Sequence, residues 1–184
     1  IGRMTKKIEG LPIEYTNEGF IKVDKNFKTS LKNVYAIGDV IGTPYFAHRS
    51  ANQAHLLSEH LINGISIQEN KMLIPMVIFT NPEVGKIGFD EDELKEMGMD
   101  FNVHKIPYGV LGKSVICNAT GQLKVLTDNN GKILGSILIG KYAGELIGYM
   151  SYAIANEMKI SELKDIVLPH PTFSELFLEL GLRV

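Results

Sequence analysis

Residues 121–139, GQLKVLTDNNGKILGSILI, decide the fold of the second half of this chain. Two β-rich runs, 121–127 and 132–139, flank the sequence DNNG at 128–131. An Asn-Gly pair between two such runs is the strongest short-range signal for a β-hairpin. We therefore expect two antiparallel strands joined by a tight turn at this point.

Further strands and helices are predicted around this hairpin. Apolar or alternating runs that predict strands occur at 76–80, 84–89 and 101–107. Helical patterns occur at 90–97, 143–158, 161–167 and 172–180. In the second of these helices, Gly144 and Gly148 would let a neighbouring element approach closely. The pattern predicts an α+β unit in which an antiparallel sheet is flanked by helices.

The first 70 residues have a different pattern. Strand-like runs at 19–23 and 34–37 precede Gly38-Asp39, and helix formers then run from 46 to 63. This order of strand, turn and helix is typical of an α/β unit, and the pattern changes between 65 and 75. We therefore place a domain boundary near residue 70, which divides the chain into 1–70 and 71–184.

Composition excludes several classes of protein. The 184 residues are 45% hydrophobic, and 21 acidic residues against 19 basic ones leave a net charge of -2, so neither a nucleic-acid partner nor a disordered tail is expected. No apolar run approaches the roughly 20 residues of a membrane span. A single cysteine, Cys117, excludes an internal disulfide and favours a reducing compartment such as the cytoplasm. A first residue of Ile1 rather than Met suggests a piece of a longer protein.

His170 and Glu175 are candidates for proton transfer. Pro171 keeps His170 out of the helical region, so His170 should lie on an extended entry to a helix that begins near Thr172. A carboxylate that accepts a hydrogen bond from one imidazole nitrogen fixes the tautomer and raises the basicity of the other nitrogen. The same residues also fit a capping box, with Thr172 as the N-cap and Glu175 reaching back. Spacing alone favours the cap.

A second candidate site follows the strand-like run at 34–37. Asp39 stands where α/β sheets place ligand-contacting groups, and its carboxylate could accept hydrogen bonds from a polyol. The helix start at Phe46 to His48 would present backbone N–H groups to an electron-rich ligand. Asp39 could instead merely close a turn. The histidines of this helix are seven and five residues apart, so no metal site is expected.

Several segments together resemble the flavin-dependent pyridine nucleotide-disulfide oxidoreductases. They are GR at 2–3, GFIKVD at 19–24, TSLKNVYAIGD at 29–39, YFAH at 45–48, NPEVGKIG at 81–88, AGELI at 143–147 and HPTFSE at 170–175. The resemblance covers nearly the whole chain. It implies that 1–70 hold the end of an NAD domain and the carboxy-terminal part of an FAD-binding domain, and that 71–184 form a dimerisation domain.

The resemblance also implies roles for particular residues. The residues implied to contact FAD are Gly38, Asp39, Tyr45, Phe46, Ala47 and His48. Asp39 would meet the ribityl chain, and the helix start would meet the flavin pyrimidine ring. His170 and Glu175 would form the family's catalytic dyad, which reverses the preference for a simple cap.

The Pro-Glu-Val sequence at 82–84 leans toward the family's lipoamide branch rather than its glutathione branch. The implied enzyme is a homodimer that oxidises dihydrolipoyl groups and passes the electrons through a disulfide and FAD to NAD. Its partner would be the lipoyl domain of a 2-oxo acid dehydrogenase or glycine cleavage complex. The redox cysteines and first flavin motif would precede Ile1, so residues 1–184 alone should be inactive and hold neither cofactor. The alternatives are a non-catalytic dimerisation module and a glutathione-type disulfide reductase.

Overall fold

The structure, a computed structural model, describes residues 7–184. They divide between Asn70 and Lys71 into two compact units. The GR sequence at 2–3, which resembles the end of an NAD domain, lies outside the described residues. None of the helices in 7–184 is long and apolar enough to cross a membrane.

The second unit is built on a five-stranded antiparallel sheet. Its strands are β1 (Met76–Ile78), β2 (Glu83–Gly88), β3 (Asn102–Pro107), β4 (Gly121–Thr127) and β5 (Ile133–Gly140), in the spatial order β1-β2-β5-β4-β3. The predicted hairpin is confirmed, because β4 pairs directly with β5. In its loop, Asp128 Oδ1 accepts from the backbone N–H groups of Asn130 and Lys132, each at 2.8 Å. Lys132 lies outside the β4–β5 ladder and makes an isolated bridge with Lys159, so β5 begins one residue later than predicted.

Four α-helices flank this sheet. They are α2 (Glu91–Glu96), α3 (Gly112–Ile116), α4 (Ala143–Ala155) and α5 (Glu175–Gly181). Two of them, α4 and α5, pack against its strands. Helix α4 packs against β2 and β5, and it buries Ile147 and Met150 in the core. The predicted helix at 161–167 is a 3₁₀ helix, Ile160–Asp165, and α3 was not predicted. The predicted α+β class, with an antiparallel sheet and flanking helices, is confirmed.

The two glycines of α4 have different surroundings. A Cβ on Gly144 would lie 3.1 Å from the Val77 side chain, so Gly144 serves packing within the unit. A Cβ on Gly148 would meet nothing within 4 Å. The expected close approach of a neighbouring element therefore occurs at Gly144, whereas no other part of residues 7–184 approaches Gly148.

The first unit contains α1 (Ala47–Asn63), which confirms the helix predicted at 46–63 and is followed by Gly64 in a left-handed conformation. The two predicted strands are wrong, because 19–23 and 34–37 make only isolated bridges, between Tyr15 and Ile21 and between Lys28 and Tyr35. Backbone groups of these segments bond to nearby loops instead, as in the bond from Ala36 N–H to the Phe27 carbonyl. Their apolar side chains still form a small core.

Candidate functional site

The structure brings His170 and Glu175 together. His170 Nδ1 lies 2.8 Å from Glu175 Oε1, while the other carboxylate oxygen accepts from the Thr172 backbone N–H at 2.8 Å. The His170 side chain is 74% exposed and the Glu175 side chain is only 17% exposed. A half-buried carboxylate therefore holds an imidazole that lies at the surface.

The helix after this pair starts later than predicted. Helix α5 begins at Glu175, with Ser174 rather than Thr172 as its N-cap. The Thr172 hydroxyl donates to the Pro169 carbonyl at 2.7 Å instead of accepting a helix N–H. The predicted capping box is therefore incomplete, because only the Glu175 half of it forms. Glu175 bonds to both the loop backbone and His170, so the cap and the dyad are not exclusive.

Phe173 anchors the loop between the two dyad residues. Its buried ring lies 5.2 Å from the Tyr108 ring and 5.7 Å from the Tyr142 ring. Tyr108 is fully buried, and its hydroxyl donates to the Lys141 carbonyl at 2.8 Å. Aromatic packing on Tyr108 and Tyr142 thus fixes the position of the loop between His170 and Glu175. The spacing of residues along the sequence did not predict this packing.

The hydrogen bonds determine which imidazole nitrogen can act as a base. The Thr172 N–H hydrogen bond holds the pKa of the Glu175 carboxyl below its ordinary value of 4.5; burial opposes this shift, and the contact with His170 adds to it. An ionised carboxylate can only accept, so Nδ1 must carry the proton and donate it. Nε2 then carries the lone pair. The arrangement is suited to taking a proton from a group that approaches from solvent.

Glu175→Gln is expected to lower any base-dependent activity of the complete protein on the order of 10²-fold while leaving it folded. The Gln oxygen can accept from Thr172 N–H, but its amide nitrogen would then donate to His170 Nδ1. That contact forces the proton onto Nε2 and removes the lone pair from the exposed nitrogen. Nitrogen NMR of the imidazole should show the exchanged tautomer beside the loss of rate.

The same variant should change how stability depends on pH. Because the pKa of Glu175 is lowered by folding, its carboxylate stabilises the folded chain above the unfolded pKa. That stabilisation is lost as the pH falls through the lowered folded value. The unfolding free energy of Glu175→Gln, measured from neutral to acidic pH, should therefore fall less steeply than that of the wild type. The same dependence of unfolding free energy on pH in Glu175→Gln and in the wild type would contradict a lowered pKa of Glu175.

The six residues predicted to contact flavin lie along one segment of the first unit. Gly38 and Asp39 open a 3₁₀ turn, Gly38–Ile41, in which Gly38 is buried and Asp39 is half-buried. Phe46 is the N-cap of α1 and makes no side-chain capping bond, and Ala47 and His48 form the exposed start of that helix. The Phe46 ring stacks on the His48 imidazole, with 5.1 Å between the ring centroids. The ring centroid of Tyr45 lies 6.1 Å from that of Phe20.

Three polar residues that hold this segment were missed by the sequence analysis. Arg49 and Gln53 are buried on α1, and both donate to Glu69 Oε1, at 3.0 and 2.6 Å. Arg49 also donates to the Gly42 and Pro44 carbonyls, and Gln53 accepts from Gly38. Their spacing of four residues on the helix was a signal, since it puts two long polar side chains on one face.

No group of three or more His, Cys, Asp or Glu residues able to hold a metal ion occurs among the residues that the structure describes. Cys117 is half-buried and carries a free thiol.

The five-stranded antiparallel sheet with flanking helices, and the surface pair of His170 and Glu175, are the features expected from the resemblance to the flavin-dependent disulfide oxidoreductases. Residues 74–180 match the family "Pyridine nucleotide-disulphide oxidoreductase, dimerisation domain", and residues 1–54 match "Pyridine nucleotide-disulphide oxidoreductase". The chain belongs to this family.

Curated relatives are similar over nearly all of the chain. Dihydrolipoyl dehydrogenase from Buchnera aphidicola subsp. Baizongia pistaciae is 35% identical over 91% of the chain, and that from Bacillus subtilis is 32% identical over 94%. The mitochondrial dihydrolipoyl dehydrogenase of Mus musculus is 31% identical over 95%. The matched regions are 36%, 37% and 35% of those proteins, so the chain spans about a third of their length.

Solved structures show the same fold. The HOCl-induced flavoprotein disulfide reductase RclA from Escherichia coli, solved as a Cu(II) complex, has a TM-score of 0.85 and 26% identity over 94% of this chain and 40% of its own. LpdA from Mycobacterium tuberculosis has a TM-score of 0.84 at 20% identity, covering 94% of this chain and 38% of its own. At 20% identity, the similarity to LpdA shows the fold alone.

Proposed function

We propose that this chain is the carboxy-terminal region of a dihydrolipoyl dehydrogenase that oxidises dihydrolipoyl groups with NAD. Residues 1–70 would belong to the NAD and FAD domains, and 71–184 would be the dimerisation domain. The observation that carries the proposal is the bond between His170 Nδ1 and Glu175 Oε1 at 2.8 Å, which leaves Nε2 as the base. Curated relatives of that name match over at least 91% of the chain, which supports this choice of substrate.

In the proposed reaction, His170 Nε2 takes the proton of a dihydrolipoyl thiol. The resulting thiolate is the competent nucleophile, and it attacks a disulfide of the complete enzyme. One sulfur–sulfur bond forms as another breaks, and the leaving sulfur departs as a thiolate. His170 passes the first proton to that leaving thiolate, and its Nε2 then takes the proton of the second substrate thiol. The second substrate thiolate attacks the mixed disulfide, which closes the lipoyl disulfide and releases the second enzyme sulfur as a thiolate, so the substrate is oxidised and the enzyme disulfide is reduced. Residues 1–184 contain one cysteine, so this disulfide belongs to another part of the complete protein.

The residues of the first unit fit the flavin that this reaction needs. The half-buried Asp39 carboxylate can accept hydrogen bonds from ribityl hydroxyls, and the exposed start of α1, at Ala47 and His48, can face an electron-rich ring edge. Gly38 leaves no side chain between the turn and the helix. When bound, FAD supplies the two-electron chemistry that links a disulfide to NAD.

The partner that we propose is the lipoyl domain of a 2-oxo acid dehydrogenase or glycine cleavage complex, because such domains carry the dihydrolipoyl group. We propose a cytoplasmic location, which a chain with a single cysteine supports.

The complete protein is expected to be a homodimer. An apolar groove of about 530 Å³ lies beside α4, α5 and the 3₁₀ helix Ile160–Asp165, and its lining includes Tyr149, Tyr152 and Phe177. Tyr152 is 69% exposed, and a second copy would cover such a surface by a two-fold contact. Sedimentation at micromolar concentration should give twice the mass of one chain. A single monomeric species would contradict the dimer.

A related disulfide reductase is the second candidate function, which the likeness to the E. coli flavoprotein disulfide reductase favours. The deciding experiment compares NAD-dependent oxidation of dihydrolipoamide by the complete protein with NADH-dependent reduction of glutathione disulfide. We expect dihydrolipoamide to be the better substrate by kcat/KM. Glutathione disulfide as the better substrate would favour the second candidate, and turnover of neither would favour a non-catalytic dimerisation module.

A further inference from the structure

We propose that the Gln53 carboxamide, locked in place by Glu69, is a positioning group that sets the Gly38–Asp39 turn for flavin binding. This inference rests on the proposed function. Its physical basis is a polar network within the first unit. In this network two side chains of α1, Gln53 and Arg49, bond to the backbone at the start and at the end of the segment from Gly38 to Pro44.

Gln53 can sit in only one orientation. It is 0% exposed; its Oε1 accepts from the Gly38 backbone N–H at 2.6 Å, and its Nε2 donates to Glu69 Oε1 at 2.6 Å. A backbone N–H can only donate and an ionised carboxylate can only accept, so exchanging the amide oxygen and nitrogen would break both bonds. Glu69 therefore selects the orientation in which the amide oxygen faces Gly38.

Arg49 holds the other end of the same turn. Its buried guanidinium donates through Nη1 to the Gly42 carbonyl at 2.9 Å and to the Pro44 carbonyl at 3.2 Å. Its Nε donates to the same Glu69 oxygen that Gln53 uses, at 3.0 Å. The segment from Gly38 to Pro44 is thus fixed by two side chains of α1 that share one carboxylate oxygen.

Positioning explains this network better than stability does. Buried ion pairs and polar groups stabilise little relative to well-packed apolar residues, but they specify one arrangement. Gly38 has a φ of +75°, and a Cβ there would lie 2.7 Å from Ser50 Oγ, so the turn already touches the helix. Asp39 follows directly, and a shift of Gly38 would move the carboxylate that we assign to the ribityl chain.

The test uses Gln53→Leu in the complete flavoprotein, because leucine fills similar space without hydrogen bonds. The buried Gly38 N–H would lose its partner, so we expect the FAD dissociation constant to rise about tenfold. Hydrogen exchange of the Gly38 amide should become faster. Asn52→Leu is the matched control, because Asn52 is exposed on the same helix, and it should leave both values unchanged.

Exchanging the amide of Gln53 with the carboxylate of Glu69 tests whether Gln53 acts through its hydrogen bonds or only by filling space. Gln53→Glu keeps an acceptor for Gly38 but sets two carboxylates against each other, which should weaken FAD binding. Adding Glu69→Gln returns an amide donor opposite the new carboxylate, and the double variant should recover most of the affinity. Two results would refute this inference and leave the proposed function intact. One is a double variant that does not recover FAD affinity, and the other is Gln53→Leu with unchanged FAD affinity and unchanged hydrogen exchange of the Gly38 amide. A wild-type protein that binds no FAD would refute the proposed function and this inference with it.

Discussion

Replacing His170 with glutamine in the complete protein is expected to lower dihydrolipoamide oxidation by about 10²- to 10⁴-fold, the usual loss on removing a general base. Glutamine has no basic nitrogen, so the substrate thiol would no longer lose its proton to the enzyme. The fold should be unaffected, since the His170 side chain is 74% exposed and Glu175 keeps its bond to Thr172. Steady-state rates with dihydrolipoamide and NAD provide the measurement.

The control for His170→Gln is reduction of a dye by NADH in the same preparation. That reaction passes electrons directly through the flavin and needs no thiol deprotonation, so it should persist near the wild-type rate. Loss of both activities would indicate damage to the flavin site rather than loss of a base. Full turnover of dihydrolipoamide by His170→Gln would refute the catalytic role and leave His170 and Glu175 as structural residues.

Replacing Gly135 with alanine is expected to destabilise the native fold of the second unit strongly. Gly135 lies on the central strand β5 and pairs with Gly88 at the end of β2, and a Cβ on Gly135 would overlap the Phe89 carbonyl oxygen. That oxygen belongs to the backbone and cannot rotate away. Overpacking of a core costs about 1–3 kcal/mol when side chains can adjust, and more when backbone must move. The yield of soluble protein and the urea midpoint should both fall sharply.

Gly148→Ala is the matched control for Gly135→Ala. It adds the same methyl group at a glycine whose Cβ would meet nothing within 4 Å among residues 7–184. An alanine in a helix interior is favoured over glycine by about 1 kcal/mol, so this variant should be at least as stable as the wild type. A wild-type urea midpoint for Gly135→Ala would contradict the packing described for β5.

Local sequence patterns were sufficient for much of the second unit. The DNNG turn predicted the β4–β5 hairpin, and the helical pattern at 143–158 predicted α4, because both signals depend on residues close together in the chain. The patterns failed at 19–23 and 34–37, which have strand composition but make only isolated bridges. A strand requires a partner along its length, and composition does not say whether one is present.

The candidate site was also predicted in part. The sequence named His170 and Glu175 but left open whether Glu175 caps a helix or holds the imidazole. The structure shows that its two oxygens make both contacts. The roles of these residues and of the six predicted flavin contacts remain predictions, which the experiments above test.

The sequence by itself determined the class of fold of the second unit and the family resemblance, and that resemblance named His170 and Glu175 as a candidate pair. The fold signals depend on residue types at short, regular spacing, and the resemblance depends on motifs that are contiguous in the chain. Only the tertiary structure decided that Glu69 joins Arg49 and Gln53, and that Phe173 packs between Tyr108 and Tyr142. These contacts bring together side chains far apart in the chain, and their geometry depends on how the intervening elements fold. Hydrogen bonding and packing act over distances in space, so spacing along the sequence could not predict these partners.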